Sequence, residues 1–151
     1  ERFDITSLIS GVLQSLDILI EQKEAQVIFR HKNPVYVWAD EFKVEQVVRN
    51  YVNNALNHVD GEKVIEIKIT QENDMAKITV FNTGTPIPEE DLPHIWEKFY
   101  KVDKARTREY GGSGIGLSIV KAIMEGLHQQ YGVQNYDNGV EFWFTLDRKN
   151  D

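Results

Sequence analysis

Apolar and polar positions alternate along this chain with two different periods, and the switches between them outline its elements. Leu8, Ile9, Val12, Leu13, Leu16, Leu19 and Ile20 recur at helical spacing behind Asp4, a residue able to cap a first turn, so the pattern predicts one helix there. Two short runs, AQVIFR and VYVWAD, have β-type composition and are split by the turn signal Lys32-Asn33-Pro34. Asp40 should open a second helix that reaches about His58 and is stopped by Gly61. KVIEIKIT and MAKITVFN alternate around Glu72-Asn73-Asp74 and predict a β-hairpin. From Thr83 to Gly112 the pattern dissolves into prolines and charges, with one short amphipathic helix expected around Leu92 to Phe99. A third long helix is expected from Gly114 to about Leu127. YGVQNY and GVEFWFTL should then form a second hairpin, turned at Asp137-Asn138-Gly139.

Helices and hairpins in this order lack the strict βαβ alternation of a doubly wound parallel sheet. They fit an α+β fold, a two-layer sandwich with about three helices on one face of a mixed, mostly antiparallel sheet. The stretch between Thr83 and Gly112 is long for a connection without regular structure, which predicts a binding loop or lid.

Composition narrows the partners. The chain has 151 residues, the size of one domain, and a formal charge of −7, which argues against a nucleic-acid partner. Basic residues bunch only between Lys98 and Arg108, enough to hold one polyanionic small molecule. The absence of cysteine excludes disulfides, thiolate metal sites and a thiol nucleophile. No apolar run approaches the ~18 residues of a membrane span. Because the chain opens on Glu1 rather than methionine, it is expected to be an excised piece of something longer.

Three stretches could carry chemistry. On the second helix, Asn50, Asn54 and Asn57 fall within an arc of roughly 60° beside the stripe of Val44, Val48, Tyr51, Val52, Ala55 and Val59. Asparagine competes with the helix for backbone hydrogen bonds, so three on one edge are locally costly. They are either a wet polar edge or a set of neutral oxygens able to ligate Mg²⁺. In VFNTGTPIP a strand runs into Asn82, Gly84 and Ile87, where a side chain can be held rigidly; a plain proline-rich turn fits the same residues. The stretch GGSGIG, Gly111 to Gly116, lacks the lysine of a Walker loop and the spacing of a Rossmann fingerprint. It offers bare backbone N–H groups at a helix start, where an anion is favoured.

The order of these elements resembles the catalytic, ATP-binding domain of bacterial sensor histidine kinases, of the GHKL superfamily and the Bergerat fold. EQVVRNYVNNALNHV is similar to the N box, VFNTGTPIP to the first glycine box, IWEKFYKVD to the F box and GGSGIGLSIVKAI to the second glycine box. The resemblance covers nearly the whole chain and implies one domain over residues 1–151, with an ATP lid at about 88–111. It implies that Asn50 and Asn54 hold Mg²⁺ and the triphosphate, and that Asn57 and His58 border the same site. Asn82, Gly84 and Ile87 would shape the adenine pocket, and Phe99 with Tyr100 would belong to the F box. Gly112, Ser113, Gly114, Ile115, Gly116 and Leu117 would wrap the phosphates. Arg106 and Arg108, or Lys104, would contact the γ-phosphate.

Departures from the family pattern bear on what the site can do. Asn82 stands where an aspartate is usual, Asn57 where a lysine is common, and Gly139-Val140-Glu141-Phe142 lacks the usual threonine. Asn50 occupies the position where the ATPase branch carries its water-activating glutamate, and Glu45 lies on a different face of the helix. The resemblance therefore implies donation of the γ-phosphoryl group to a histidine. His31, His58, His94 and His128 lack the context of a phosphoacceptor, so the acceptor is expected on separate dimerisation helices of a homodimeric parent, with a response regulator downstream. This piece alone would be monomeric and cytoplasmic, with its parent anchored in the bacterial membrane. The rival readings are a degenerate regulatory module that binds nucleotide weakly or not at all, and a slow GHKL ATPase.

Overall fold

The computed structural model describes residues 1–100 and 116–149. Over these the chain runs β1 (Arg2–Asp4), α1 (Ile5–Ser15), α2 (Asp17–Gln22), β2 (Gln26–Phe29), β3 (Tyr36–Trp38), α3 (Glu41–His58), β4 (Val64–Glu72), β5 (Met75–Thr83), a 3-10 helix (Glu89–His94), α4 (Gly116–Gly126), β6 (Tyr131–Tyr136) and β7 (Gly139–Asp147). Both helix starts follow from their caps. Asp4 Oδ1 accepts from the Thr6 and Val35 amides at 3.0 and 3.1 Å, and Asp40 Oδ1 accepts from the Lys43 amide at 3.2 Å. Each satisfies an N–H that the first helical turn would leave orphaned.

Two expected elements differ. The single helix expected after Asp4 is broken at Leu16, which leaves the helical range at φ −103° and ψ 10°. At the break the Val12 carbonyl is shared between the Ser15 hydroxyl at 2.7 Å and the Leu16 N–H at 3.1 Å, a side-chain bond of the kind that bends helices. The amphipathic helix expected at Leu92–Phe99 is instead a 3-10 helix over Glu89–His94 followed by turns. Pro93 lacks an N–H, and Phe99 adopts φ +66°, so an α-helix cannot pass through either.

The seven strands form one mixed sheet in the order β1-β3-β7-β5-β4-β2, with β6 added on β7. Only β2 and β4 pair in parallel. Both predicted hairpins are present, and strand alternation sorts their residues. Ile65, Ile67 and Ile69 of β4, Ile78 and Val80 of β5, and Val140, Phe142, Phe144 and Leu146 of β7 are buried. They meet Ile5, Ile9 and Val12 of α1, Val44, Val48, Tyr51, Val52 and Ala55 of α3, and Val120 and Met124 of α4. Each Val, Leu, Ile, Phe or Met among them contributes about 1.5–3 kcal/mol when fully buried. Tyr51 fixes α3 to the sheet: its ring packs on Phe142 and Phe144, and its hydroxyl donates to the Trp143 carbonyl at 3.0 Å. Burial pushes that hydroxyl's pKa well up, so it stays a donor.

Candidate functional site

Asn82 follows Ile78 and Val80 at the period of two, so β5 turns it toward the helices. It is 2% exposed, in a slot where an apolar residue would be expected. Its Nδ2 donates to the Thr83 carbonyl at 3.0 Å. Because only the amide nitrogen can bond a carbonyl, the orientation of the side chain is set and Oδ1 is left as an acceptor. The neighbouring Thr83 anchors the strand end. Its Oγ1 donates to the Asp60 carbonyl at 2.8 Å and accepts from the Val64 amide at 3.0 Å, while its own carbonyl takes the Asp60 N–H at 2.9 Å.

Gly84 continues from this point at φ +145°, and a Cβ there would lie 2.9 Å from the His58 carbonyl. Only glycine fits both the dihedral and the approach. Its N–H donates to the Asn138 carbonyl at 3.0 Å. Ile87, half-buried, is gripped at both backbone groups by one side chain. Asn135 Oδ1 accepts from the Ile87 N–H at 3.0 Å, and Asn135 Nδ2 donates to the Ile87 carbonyl at 2.8 Å.

On α3, Asn50, Asn54 and Asn57 are half-buried along one edge, as the helical arc predicts. The first of them reaches another predicted group, since a Cβ on Gly116 would lie 3.2 Å from Asn50 Oδ1. The N-terminus of α4 and the asparagine edge of α3 are therefore neighbours, with Leu117 packed against the core beside them. Glu45 is engaged elsewhere, in an i,i+4 ion pair with Arg49 at 3.3 Å. His58 ends the helix with part of its ring in solvent. Burial of the rest of the ring, and then the charge of Lys23, lower its pKa below the usual 6.5, so it is neutral at pH 7.

The F-box stretch is pinned by aromatic packing. Ile95 is buried, and Trp96 meets Tyr131 and Phe142 edge to face at centroid distances of 4.9 and 5.9 Å. Phe99, by contrast, is 65% exposed. Tyr100 stacks near His94 and donates to Asp91. Lys104, Arg106, Arg108, Gly112, Ser113, Gly114 and Ile115 lie outside the described residues. Among the described residues no group of three acidic, histidine or cysteine side chains could hold a metal by itself.

Sequence reasoning placed the second hairpin and its turn but missed what its tip does: Asn135 and the Asn138 carbonyl hold Ile87 and Gly84. A signal existed, because Tyr131 and Val133 of β6 pack against the core and Asn135 follows them on the same face. A polar residue in an inward slot needs a partner.

The comparisons with known proteins bear on family and fold. Residues 39–150 match the model of the family described as histidine kinase-, DNA gyrase B-, and HSP90-like ATPase. The probable sensor kinase SilS of Salmonella typhimurium is 31% identical over 150 residues, which is 97% of this chain and 30% of SilS. The nucleotide-free catalytic domain of the histidine kinase ThkA superposes with a TM-score of 0.85 at 29% identity, covering 98% of this chain and 95% of that one. ThkA in complex with the response regulator TrrA gives 0.80 at 26% identity, covering 99% of this chain and 42% of that one. The chain spans between 20% and 35% of the length of its curated relatives. Among the described residues no helix is long and apolar enough to cross a membrane. With the family model matched over most of its length, the chain belongs to the histidine kinase-, DNA gyrase B- and HSP90-like ATPase family, on the side of the sensor histidine kinases.

Proposed function

We propose that this chain binds ATP with Mg²⁺ and donates the γ-phosphoryl group to a histidine on the dimerisation helices of a sensor histidine kinase. A response regulator would then receive the group, as the complex of ThkA with TrrA suggests by analogy. The observation that carries the reading is the approach of Asn50 to Gly116, where an added Cβ would lie 3.2 Å from Asn50 Oδ1, which sets the asparagine edge of α3 beside the first described turn of the glycine-box helix. That junction gives neutral oxygens on one side and a helix N-terminus on the other, a setting suited to a metal–triphosphate.

Within this reading Asn50 and Asn54 would hold Mg²⁺, which supplies charge neutralisation on the phosphates when bound. Asn82 would accept from the exocyclic amino group of adenine, with Gly84 and Ile87 walling the base. An asparagine at position 50 cannot take a proton from water, and Glu45 is tied to Arg49, so the site favours positioning over hydrolysis. The basic residues Lys104, Arg106 and Arg108 remain candidates for the γ-phosphate contact.

The test mixes this chain with its parent's dimerisation helices and γ-labelled ATP. Acid-labile label on the helix histidine is expected, lost in Asn54→Asp. No transfer to the cognate acceptor, with nucleotide binding weak or absent, would make the chain a degenerate regulatory module instead. The fixed orientation of Asn82 speaks against that second reading, because an acceptor is still presented where the base would sit.

A further inference from the structure

The register of the sheet sets Asn135 of β6, Val140 of β7 and Asn82 of β5 in one line, since Asn135 pairs with Val140 and Val140 with Asn82. Directly paired antiparallel residues project to the same face, so all three point to the helix side. At about 4.8 Å per strand, Asn135 stands roughly 10 Å from Asn82, across the width of one intervening strand. The irregular segment after Thr83 crosses this gap. It leaves β5 at Gly84, bonds the Asn138 carbonyl, and reaches β6 at Ile87, where both backbone groups close on the Asn135 carboxamide.

We propose that Asn135 is the positioning residue of the nucleotide site: by holding Ile87 at both its N–H and its carbonyl, it fixes the width of the gap between that loop and Asn82 into which a purine base fits. This inference rests on the nucleotide-binding reading above. The chemistry is specific. A primary carboxamide presents an acceptor and a donor in one plane and can close the pair of bonds to a single peptide residue. A carboxylate of the same shape keeps the bond from the N–H but faces the Ile87 carbonyl with a second acceptor. A loop without regular structure has no ladder to fall back on, so its backbone groups depend on such a side chain. Asn135 touches no atom that the nucleotide would present; it acts through Ile87.

The experiment uses this chain with Asn135→Asp and Asn135→Ala, and two probes, Mg²⁺ with a non-hydrolysable ATP analogue and Mg²⁺ with inorganic tripolyphosphate. Amide hydrogen exchange at Ile87 is followed in the nucleotide-free protein, with tryptophan fluorescence as the check that each variant is folded. The expected result is faster exchange at Ile87 in Asn135→Ala, where the bond from its N–H is lost, and in both variants an analogue Kd raised about tenfold, as for loss of preorganisation, while the tripolyphosphate Kd stays within about twofold. A residue with only a general structural role would weaken both probes alike, and that outcome overturns the proposal. Unchanged exchange at Ile87 in Asn135→Ala also overturns it. If the unmodified chain binds neither probe, the nucleotide-binding reading itself falls, and the exchange data still tell whether Asn135 holds the loop. If Asn135→Ala does not fold, Asn135→Asp, which keeps one bond and the shape of the side chain, carries the test through the two Kd values.

Discussion

At the end of β5, Asn82, Gly84 and Ile87 are held through hydrogen bonds to backbone and to two asparagines of the facing hairpin, in a wall that is largely buried. A few residues further on, the segment from Glu89 to Tyr100 is held in another way. Its buried anchor is Ile95 with Trp96 against β6 and β7, while the His94–Glu97 hydrogen bond lies on the surface and Phe99 faces solvent. Directional bonds to backbone fix an atom's position; aromatic packing at one point fixes an attachment but leaves its ends free to be placed by something else. A base pocket needs the first property. A segment that must close over a ligand or meet a partner needs the second.

The sharpest way to break the wall is Gly139→Ala. A Cβ at this position would lie 2.1 Å from the Asn82 carbonyl oxygen and 2.8 Å from the Phe81 ring, so β7 would have to move away from β5 at the strand end. Overpacking against backbone has no side-chain rotation to relieve it, and the loss should reach about 3 kcal/mol or more in urea unfolding. Gly132→Ala is the control. Its added Cβ would meet the Trp143 ring at 2.6 Å, on the open face of the sheet, where the indole can turn away. Equal losses in the two variants would sink the claim that the approach at Asn82 is special.

The second variant addresses the other region. Trp96→Ala removes both edge-to-face contacts with Tyr131 and Phe142 from a half-buried position, for an expected cost of about 2 kcal/mol. Proteolytic cleavage after Lys98 should become faster while the Ile87 amide keeps its protection against exchange. Simultaneous loss of protection at Ile87 would mean that wall and segment are one cooperative unit.

Much of this contrast was legible in the sequence, and the limits have physical causes. Asp4 and Asp40 announced their helices because a cap is a local event, and both hairpins were visible because alternation and turn residues are local too. Alternation alone turns Asn82 inward. What did not show were the non-local pairings: β1, only three residues long, exists through its bonds to β3, and β2 lies parallel to β4 rather than beside its sequence neighbour. The break at Leu16 coincides with a serine hydroxyl bonded to the preceding turn, and the grip of Asn135 on Ile87 spans 48 positions. The two departures at Asn82 and Val140 looked unrelated in sequence, yet they are direct cross-strand partners.

That pairing yields a third prediction. Asn82→Asp would set a carboxylate against the Thr83 carbonyl in a nearly closed site with Val140 across from it. The lost donor and the buried charge should cost about 1–2 kcal/mol at neutral pH. Adding Val140→Thr offers a hydroxyl to the new carboxylate and should recover part of that loss. A double-mutant cycle reads the coupling directly, and simple additivity would show that the two positions do not communicate.

The smallest effect expected belongs to His58, on the helix side of the wall. Two influences oppose each other at the C-terminus of α3: the helix dipole favours a cation there, while burial and Lys23 disfavour one. The lowered pKa says that the second pair wins. In the unfolded chain the ring takes its proton near pH 6.5, and in the folded chain only at lower pH. Between those values the unfolded state binds more protons, so stability is complete above the unfolded pKa and declines as the pH falls through and below it. Comparing urea midpoints at about pH 7.5 and about pH 5.5, His58→Gln should lose less on acidification than the unmodified chain. Because the His58 carbonyl is the atom that crowds Gly84, the protection factor of the Gly84 amide, taken relative to its intrinsic exchange rate at each pH, should fall at the lower pH in the unmodified chain and not in the variant. An identical acid response in both proteins would detach His58 from the wall and leave the desolvation at this helix end without consequence for it.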